Sequence, residues 1–453
     1  GELKMSLSAA GVNRYVKYTF VSPISKSDFL ALSIKYKADA QGLRLYVIDN
    51  ANGFAYRDLA KADDYTTETF DFANLKDYAK LTGDKIVAFG FASRDGNAYI
   101  TPTNASVQSI TYEKLNPITG FNQLISGSTT EYLLADFNVN GYRQNLALAG
   151  TQSSDSGLQS SYTLSDSKLN VVSRRSWSNS YIKYTFPTPA SIDNGIVIKF
   201  EYTADSAKNA LFYVFDETGK SVSVNASSAA QEAYVSSALI KSLEGSKIAA
   251  VAVSSVEADP TKSPAVEVNV SVSRISYEKV VAVTGYNEAV SGTSDEYLLA
   301  DFSANGYYDY FSFGGTASWN TQPAYMITTD TVGSAKTSIL KVVCTQQAQS
   351  RFVKFNLPTA LNLSEVGSVK ITFKSTAEVR LYVIDESGNM SFKWLNNSSY
   401  TETVIDVSTM NDYAKLTGTK IAALGFATNL GTVSGTKPVT WSIEKITYTK
   451  KTA

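Results

Sequence analysis

The residues best suited to chemistry in this chain are aromatic. Four tryptophans occur, Trp177, Trp319, Trp394 and Trp441, and a Trp or Tyr ring offers a sugar a flat apolar face with a polar edge. Trp319 lies in Gly314-Gly315-Thr316-Ala317-Ser318-Trp319-Asn320-Thr321-Gln322-Pro323, a polar loop punctuated by Gly and Pro, with Tyr307, Tyr308 and Tyr310 just upstream. A large ring in such a loop is costly unless it is covered or used. Trp394 follows a hairpin turn, in Phe392-Lys393-Trp394-Leu395-Asn396-Asn397. In Arg174-Arg175-Ser176-Trp177-Ser178-Asn179 an arginine beside a tryptophan makes a cation–π pair. Trp319, Trp394, Tyr308, Trp177 and Arg175 are therefore the candidate ligand-binding residues. Packing against a neighbouring loop or domain is the competing reading of each.

Catalytic chemistry finds little to use. The chain has no His and one Cys, which removes Ser-His-Asp and Cys-His catalysis, Cys/His zinc sites and an internal disulfide. A glycosidase needs only two carboxylates about 5–10 Å apart, but the 42 acidic residues guarantee chance pairs. Asp49, Asp216 and Asp385 recur at strand ends, where turn chemistry explains them. No nucleophile elbow or phosphate loop is present. The chain reads as non-catalytic, and Cys344, in the apolar run Leu340–Cys344, as a small core residue. Lys plus Arg number 41 against those 42 acids, with no basic stripe, so nucleic acid is not an expected partner. No run approaches 18 apolar residues, so no membrane span is expected. No signal peptide is recognised either. A disulfide-free chain rich in Thr, Ser and Tyr suits an extracellular or cell-surface location.

The elements that must carry these residues are repeated. Glu131-Tyr132-Leu133-Leu134-Ala135-Asp136-Phe137 returns unchanged at Glu296–Phe302, with Thr119-Gly120-Phe121-Asn122 and Thr284-Gly285-Tyr286-Asn287 before the two copies. The period is too long for a solenoid and is that of a whole domain. Arg44-Leu45-Tyr46-Val47-Ile48-Asp49, Leu211-Phe212-Tyr213-Val214-Phe215-Asp216 and Arg380-Leu381-Tyr382-Val383-Ile384-Asp385 are equivalent. Each runs into a Gly-containing turn, which predicts a hairpin. Asp77–Gly83 and Asp412–Gly418 predict one helical turn or a tight loop. The apolar runs Ile86–Phe91, Ile248–Val253 and Ile421–Phe426 predict central strands. Closing segments such as Arg274-Ile275-Ser276-Tyr277 alternate apolar and polar residues. The expected fold is all-β: a tandem array of three β-sandwich domains over residues 1–115, 118–280 and 283–453, with Pro117 marking a semi-rigid joint.

This order of elements resembles the jelly-roll carbohydrate-binding modules of extracellular polysaccharide-degrading enzymes. Leu134-Ala135-Asp136-Phe137 and Leu299-Ala300-Asp301-Phe302 stand where such modules have their opening strand. The Leu-Tyr-Val-x-Asp hairpin and the alternating last strand also match. The resemblance implies polysaccharide binding. It also implies a structural calcium near the first and last strands, which would place Asp136 and Asp301 as metal ligands. The closing strands offer Gln108, Arg274 or Glu444 there and no repeated Asp, so calcium is possible and otherwise no cofactor is expected. The tryptophans depart from the repeat: Trp177 aligns with Gly11 and Ala348, Trp319 with Ser154, Trp394 with Asp58, and Trp441 with Ala105. By this reading what recurs is scaffold, and a ligand site is not repeated.

The first repeat lacks its N-terminal strands. Leu3 aligns with Leu169 and Leu340, so nothing corresponds to the stretch from Ile118 to about Asp166, which includes Tyr-Leu-Leu-Ala-Asp-Phe. An open edge and an uncovered apolar groove are expected there, filled by a strand from another chain or by upstream sequence. Two functions remain open: glycan binding or adhesion at a bacterial surface, with polysaccharide as partner, or a self-assembling surface layer or filament, with copies of the chain as partner.

Overall fold

A computed structural model describes residues 1–7, 14–39, 42–94, 102–151, 155–174, 180–192, 195–205, 209–227, 230–255, 266–293, 295–315, 323–344, 352–428 and 438–451. The fold is nearly all β, with six antiparallel sheets, and each expected repeat contributes two of them. Two compact units are present: residues 1–118 with 139–141, and residues 119–138 with 142–453. Among the described residues no helix is long and apolar enough to cross a membrane.

In the first unit one sheet runs Leu3–Leu7, Thr103–Lys114, Phe29–Ala38, Ala62–Asp71. The other runs Val16–Ser25, Lys85–Ser93, Leu43–Asp49, Phe54–Leu59. Their inner faces share one core that includes Leu32, Ile34, Leu45, Val47, Phe72 and Phe91. The apolar run predicted as a central strand is Lys85–Ser93, paired on both sides.

The second unit repeats this plan twice with additions. In the second repeat Leu146–Ala149 extends one sheet beyond Tyr181–Ser191. Ser161–Ser165 extends the other beyond Lys168–Ser173, and Glu131–Ala135 pairs with Val268–Lys279. The third repeat has the same three additions: Phe311–Gly314 on Phe352–Asn362, Ala324–Val332 on Ala335–Cys344, and Glu296–Ala300 on Val439–Lys450.

The repeated heptad works as a plug. Leu134, Ala135, Leu299 and Ala300 are buried, and the chain then turns so that Phe137 and Phe302 enter the space between the sheets. Both phenylalanines have positive φ, 52° and 54°, a region bulky side chains rarely enter. Packing holds them there: Phe302 meets Tyr307 at 5.4 Å and Phe355 at 6.4 Å, and Phe137 meets Tyr142 at 5.1 Å.

The strand-end aspartates do turn chemistry. Asp385 Oδ1 accepts from the backbone N–H groups of Ser387 (3.0 Å) and Asn389 (2.8 Å), and Oδ2 from that of Gly418 (2.8 Å). One buried carboxylate thereby ties the hairpin turn to the loop feeding the central strand. Asp216 does the same through Thr218, Lys220 and Gly245, and Asp49 through Ala51, Gly53 and Gly83. The Asp-Tyr-Ala-Lys segments form single 3₁₀ turns, entered through Asp77 and Asp412 in the left-handed region. Cys344 is buried in the core, and burial pushes its thiol up to about 12.

Candidate functional site

The predicted site residues scatter. Trp319, Trp177 and Arg175 lie outside the described residues. Tyr308 is only 3% exposed. It stacks on Tyr234 of the second repeat, with centroids 4.3 Å apart, and its hydroxyl oxygen accepts from the Ile327 N–H at 2.7 Å. Burial drives its phenol pKa well above the ordinary value. Its ring closes the joint between the second and third repeats and presents no face to a ligand. Trp441 is fully buried and donates its indole N–H to the Ala427 carbonyl at 2.9 Å.

Asp136 and Asp301 hold their own turn. Asp301 Oδ1 accepts from the Tyr307 hydroxyl (3.1 Å) and from the N–H (3.1 Å) and hydroxyl (2.8 Å) of Ser303. Asp136 Oδ1 accepts from the Tyr142 hydroxyl at 2.9 Å. Among the described residues no three carboxylate, Cys or His side chains come together as a metal would need; calcium takes six to eight oxygens.

Trp394, a sequence-predicted ligand residue, belongs to an aromatic cluster whose other members sequence reading did not name. On the strand Val379–Asp385, Val379, Leu381 and Val383 enter the core. Arg380, Tyr382 and Ile384 therefore point to the opposite face of the sheet, since successive side chains alternate. There they meet Phe392 and Trp394 of the neighbouring strand Met390–Leu395. The Arg380 guanidinium carbon sits 3.7 Å from the Trp394 ring centroid and 4.5 Å from that of Phe392. One of its terminal N–H groups donates to the Tyr382 hydroxyl at 2.9 Å. Arg380 is 5% exposed, and its Nε finds no acceptor among the described residues. Phe352 adds a ring 5.0 Å from Tyr382. It lies over Gly425, where an added Cβ would come within 2.7 Å of the ring.

The first repeat carries the equivalent cluster. Arg44 makes a two-point contact with Asp58, Nε to Oδ1 at 2.6 Å and Nη2 to Oδ2 at 3.1 Å, and sits 4.2 Å from the Tyr56 ring. Tyr46 is ringed by Tyr15, Phe54 and Tyr56 at 5.5 to 6.4 Å. Tyr15 lies over Gly90, where a Cβ would be 2.8 Å away. In the second repeat Tyr181, Tyr213 and Phe215 cluster at 5.2 to 6.0 Å, with Lys183 Nζ 4.5 Å from the Phe215 ring.

Strand register turns these clusters into one recurring row across each outer sheet face. It reads Lys17, Gly90, Tyr46, Tyr56 in the first repeat and Lys183, Ala252, Tyr213, Ser223 in the second. In the third it reads Lys354, Gly425, Tyr382, Phe392. The recurring tyrosines Tyr46, Tyr213 and Tyr382, read from sequence as scaffold, face away from the core between the sheets in all three repeats and are themselves buried among their neighbours on the outer face. A small residue on the central strand and rings on the strands beside it make a shallow apolar face. A cation stands on one side of the small residue, with Ala147 or Ser312 beyond it in the second and third repeats, and half-buried or exposed rings such as Phe54, Tyr56 and Trp394 stand on the other side in the first and third. The signal was present in sequence as Tyr alternating with two core aliphatics. Both faces of these strands are apolar, so alternation alone does not say which one is the core.

No family model matches the chain, and no curated protein matches it. Among solved structures it is similar to the family 11 carbohydrate-binding module from Clostridium thermocellum in complex with a β-1,3-1,4-mixed-linked tetrasaccharide. The sequence identity is 13% and the TM-score 0.27, over 35% of this chain and 97% of that one. The family 11 module of the cellulosomal cellulase Lic26A-Cel5E of Clostridium thermocellum gives the same figures. The PBSX exported protein XepA is similar at 8% identity and a TM-score of 0.16, over 61% of this chain and 85% of that one. The likeness is one of fold.

Proposed function

We propose that the chain is a non-catalytic, extracellular glycan-binding or adhesion array, each repeat presenting its outer aromatic sheet face to a polysaccharide. The observation that carries this reading is the recurring row of cation, small residue and tyrosine. Sugar rings stack on aromatic faces while their hydroxyls need polar partners at the edge, and each row supplies both. Tyr46 and Tyr382 pack beside the rim rings Tyr56 and Phe392, and Tyr213 lies beside Ser223. The Arg44–Asp58 pair supplies donors and acceptors at the rim of the first repeat, and Lys17, Lys183 and Lys354 supply donors on the far side of each row. Repetition along one chain raises avidity for a polymer without demanding a tight single site. The fold likeness to a module in complex with a mixed-linked tetrasaccharide is consistent with this class of ligand. The rim differs between repeats, with Phe54, Tyr56 and Asp58, then Ser221, Ser223 and Asn225, then Met390, Phe392 and Trp394 at equivalent positions, so the repeats prefer different sugars.

Retention of the whole chain on soluble and insoluble polysaccharides, mixed-linked glucan included, tests the reading. The double variant Tyr56→Ala, Trp394→Ala should lose retention while its melting temperature moves little. Failure of the unaltered chain to bind any polysaccharide would overturn the proposal.

A further inference from the structure

Arg44 and Arg380 occupy the same strand position, two residues before the outward tyrosine, but meet different partners. Each guanidinium lies beside the equivalent rim ring, Arg44 at 4.2 Å from Tyr56 and Arg380 at 4.5 Å from Phe392. What differs is the residue directly across the strand pair. Register sets Asp58 opposite Arg44 and Trp394 opposite Arg380. Asp58 takes Nε at 2.6 Å and Nη2 at 3.1 Å, so the first repeat neutralises its own arginine. Arg44 is half-buried, whereas Arg380 is buried. Among the described residues no carboxylate forms an ion pair with Arg380. Its Nε, the nitrogen that Asp58 approaches most closely in the first repeat, has no acceptor.

The rings do not supply what is missing. Trp394 lies 3.7 Å from the guanidinium carbon, a distance at which the planar cation lies flat on the ring. The N–H bonds then run past the ring and not into it. Tyr382 takes one terminal N–H, at 2.9 Å, and leaves the Nε edge without an oxygen. A buried charge lacking its counter-charge and a hydrogen bond is costly. The acids nearest along the strand are engaged elsewhere. Asp385 holds its turn, and Glu378, just ahead of the strand, has a partner of its own. The five strands of this sheet contain no acidic residue besides Asp385, while the matching sheet of the first repeat has Asp58 in addition to its turn aspartate, Asp49. Lys354 adds a second cation to the same outer face.

We propose that Arg380 and Trp394 form a carboxylate-binding subsite, through which the third repeat selects a polysaccharide of uronic acids. The ligand carboxylate accepts from the Nε edge of Arg380, the role that Asp58 plays toward Arg44; arginine's fork suits that planar group. The sugar ring that bears it packs on Trp394, which is half-buried on the edge strand Met390–Leu395. Leu211 and Asn225 stand at these positions in the second repeat, and the arginine of the first is already paired, so the acidic sugar belongs to the third repeat alone. This subsite names the ligand class for one repeat and rests on the glycan-binding reading.

The test titrates the whole chain with polygalacturonate, with its fully methyl-esterified form, with neutral mixed-linked glucan and with dextran sulfate, by calorimetry and amide hydrogen exchange. The ester keeps the sugar and removes only the charge. The free acid should bind about tenfold more tightly than the ester and should protect Val379–Asp385 and Met390–Leu395. Arg380→Gln should erase that preference. If this variant fails to fold, Trp394→Asp supplies from within the chain the carboxylate that the first repeat has, and should erase the preference too. Trp394→Asn, which lacks the charge, should bind more weakly but keep it. Equal binding of acid and ester, protection confined to the first or second repeat, or tighter binding of dextran sulfate than of polygalacturonate would each overturn the subsite. So would a preference that survives Arg380→Gln or Trp394→Asp in a folded chain. Binding of neutral glucan with no preference for the acid leaves the glycan reading standing, whereas binding of no polysaccharide at all removes both.

Discussion

A few buried side chains tie distant segments together, and their substitution separates structural from binding roles. Asp385 satisfies three backbone N–H groups at once. Asp385→Ala leaves them without their acceptor and should destabilise the third repeat by about 3 kcal/mol, at about 1 kcal/mol for each part-buried N–H that loses its hydrogen bond, as read from urea unfolding. The same residues give acid sensitivity. Burial opposes the charge on Asp216 and Asp385. The Thr218 and Asn389 side chains and the surrounding backbone N–H groups more than offset that, holding both carboxyls below their ordinary value. A folded value below the unfolded one, about 3.9, means stabilisation that is present above that pH and is lost as pH falls through the folded value. Unfolding midpoints should therefore fall below about pH 4, and the Asp385→Asn chain should show a shallower fall. The two described tryptophans should behave oppositely. Trp441→Ala empties the core and should cost about 3–5 kcal/mol. Trp394→Ala removes a half-buried rim ring, should cost much less, and should act on glycan retention.

At the scale of the element, the heptad strand and its plug decide whether a repeat is closed. Phe302 is held at positive φ by the rings around it, so the strain is sustained by packing. Phe302→Ala should cost about 3–5 kcal/mol through the cavity alone. It should also raise amide exchange along Glu296–Ala300 and Phe311–Gly314, the two elements it locks against the third repeat. Exchange confined to position 302 itself would show that the plug does not hold those strands. The outer aromatic faces add a second layer to each sandwich. They explain why the strands after Asp49, Asp216 and Asp385 differ so much between repeats while the strands before them do not. The earlier strands share a core and a recurring row, and the later ones form the rim.

Across the larger unit, the second and third repeats are joined by specific contacts. Asp309 accepts from the Ser237 hydroxyl at 2.7 Å and the Ala238 N–H at 2.8 Å, beside the Tyr234–Tyr308 stack. The joint buries rings and a charged group satisfied by two donors, so it couples the two sandwiches. Asp309→Ala combined with Tyr234→Ala should split the calorimetric unfolding of this unit into two transitions. A single transition at an unchanged temperature would show that the repeats unfold together for another reason.

The sequence by itself determined the all-β class, the whole-domain repeat and the hairpins at Asp49, Asp216 and Asp385. These are local or self-referential signals: turn residues at fixed offsets, period-two alternation, and one stretch of chain compared with another. Tertiary structure alone decided the rest. Tyr308 reads as a loop-adjacent ring but meets a partner more than seventy residues earlier, Tyr234, and sequence spacing does not report that meeting. Tyr46, Tyr213 and Tyr382 look like core scaffold because their strands are apolar on both faces. Only the packing of one sheet on another chooses which face is inside. The ion pairs at the repeated heptads are likewise invisible in the linear chain. Glu131 and Lys199, or Glu296 and Lys370, become partners only when their two strands flank the closing strand on either side, and the register of both pairings sets that meeting.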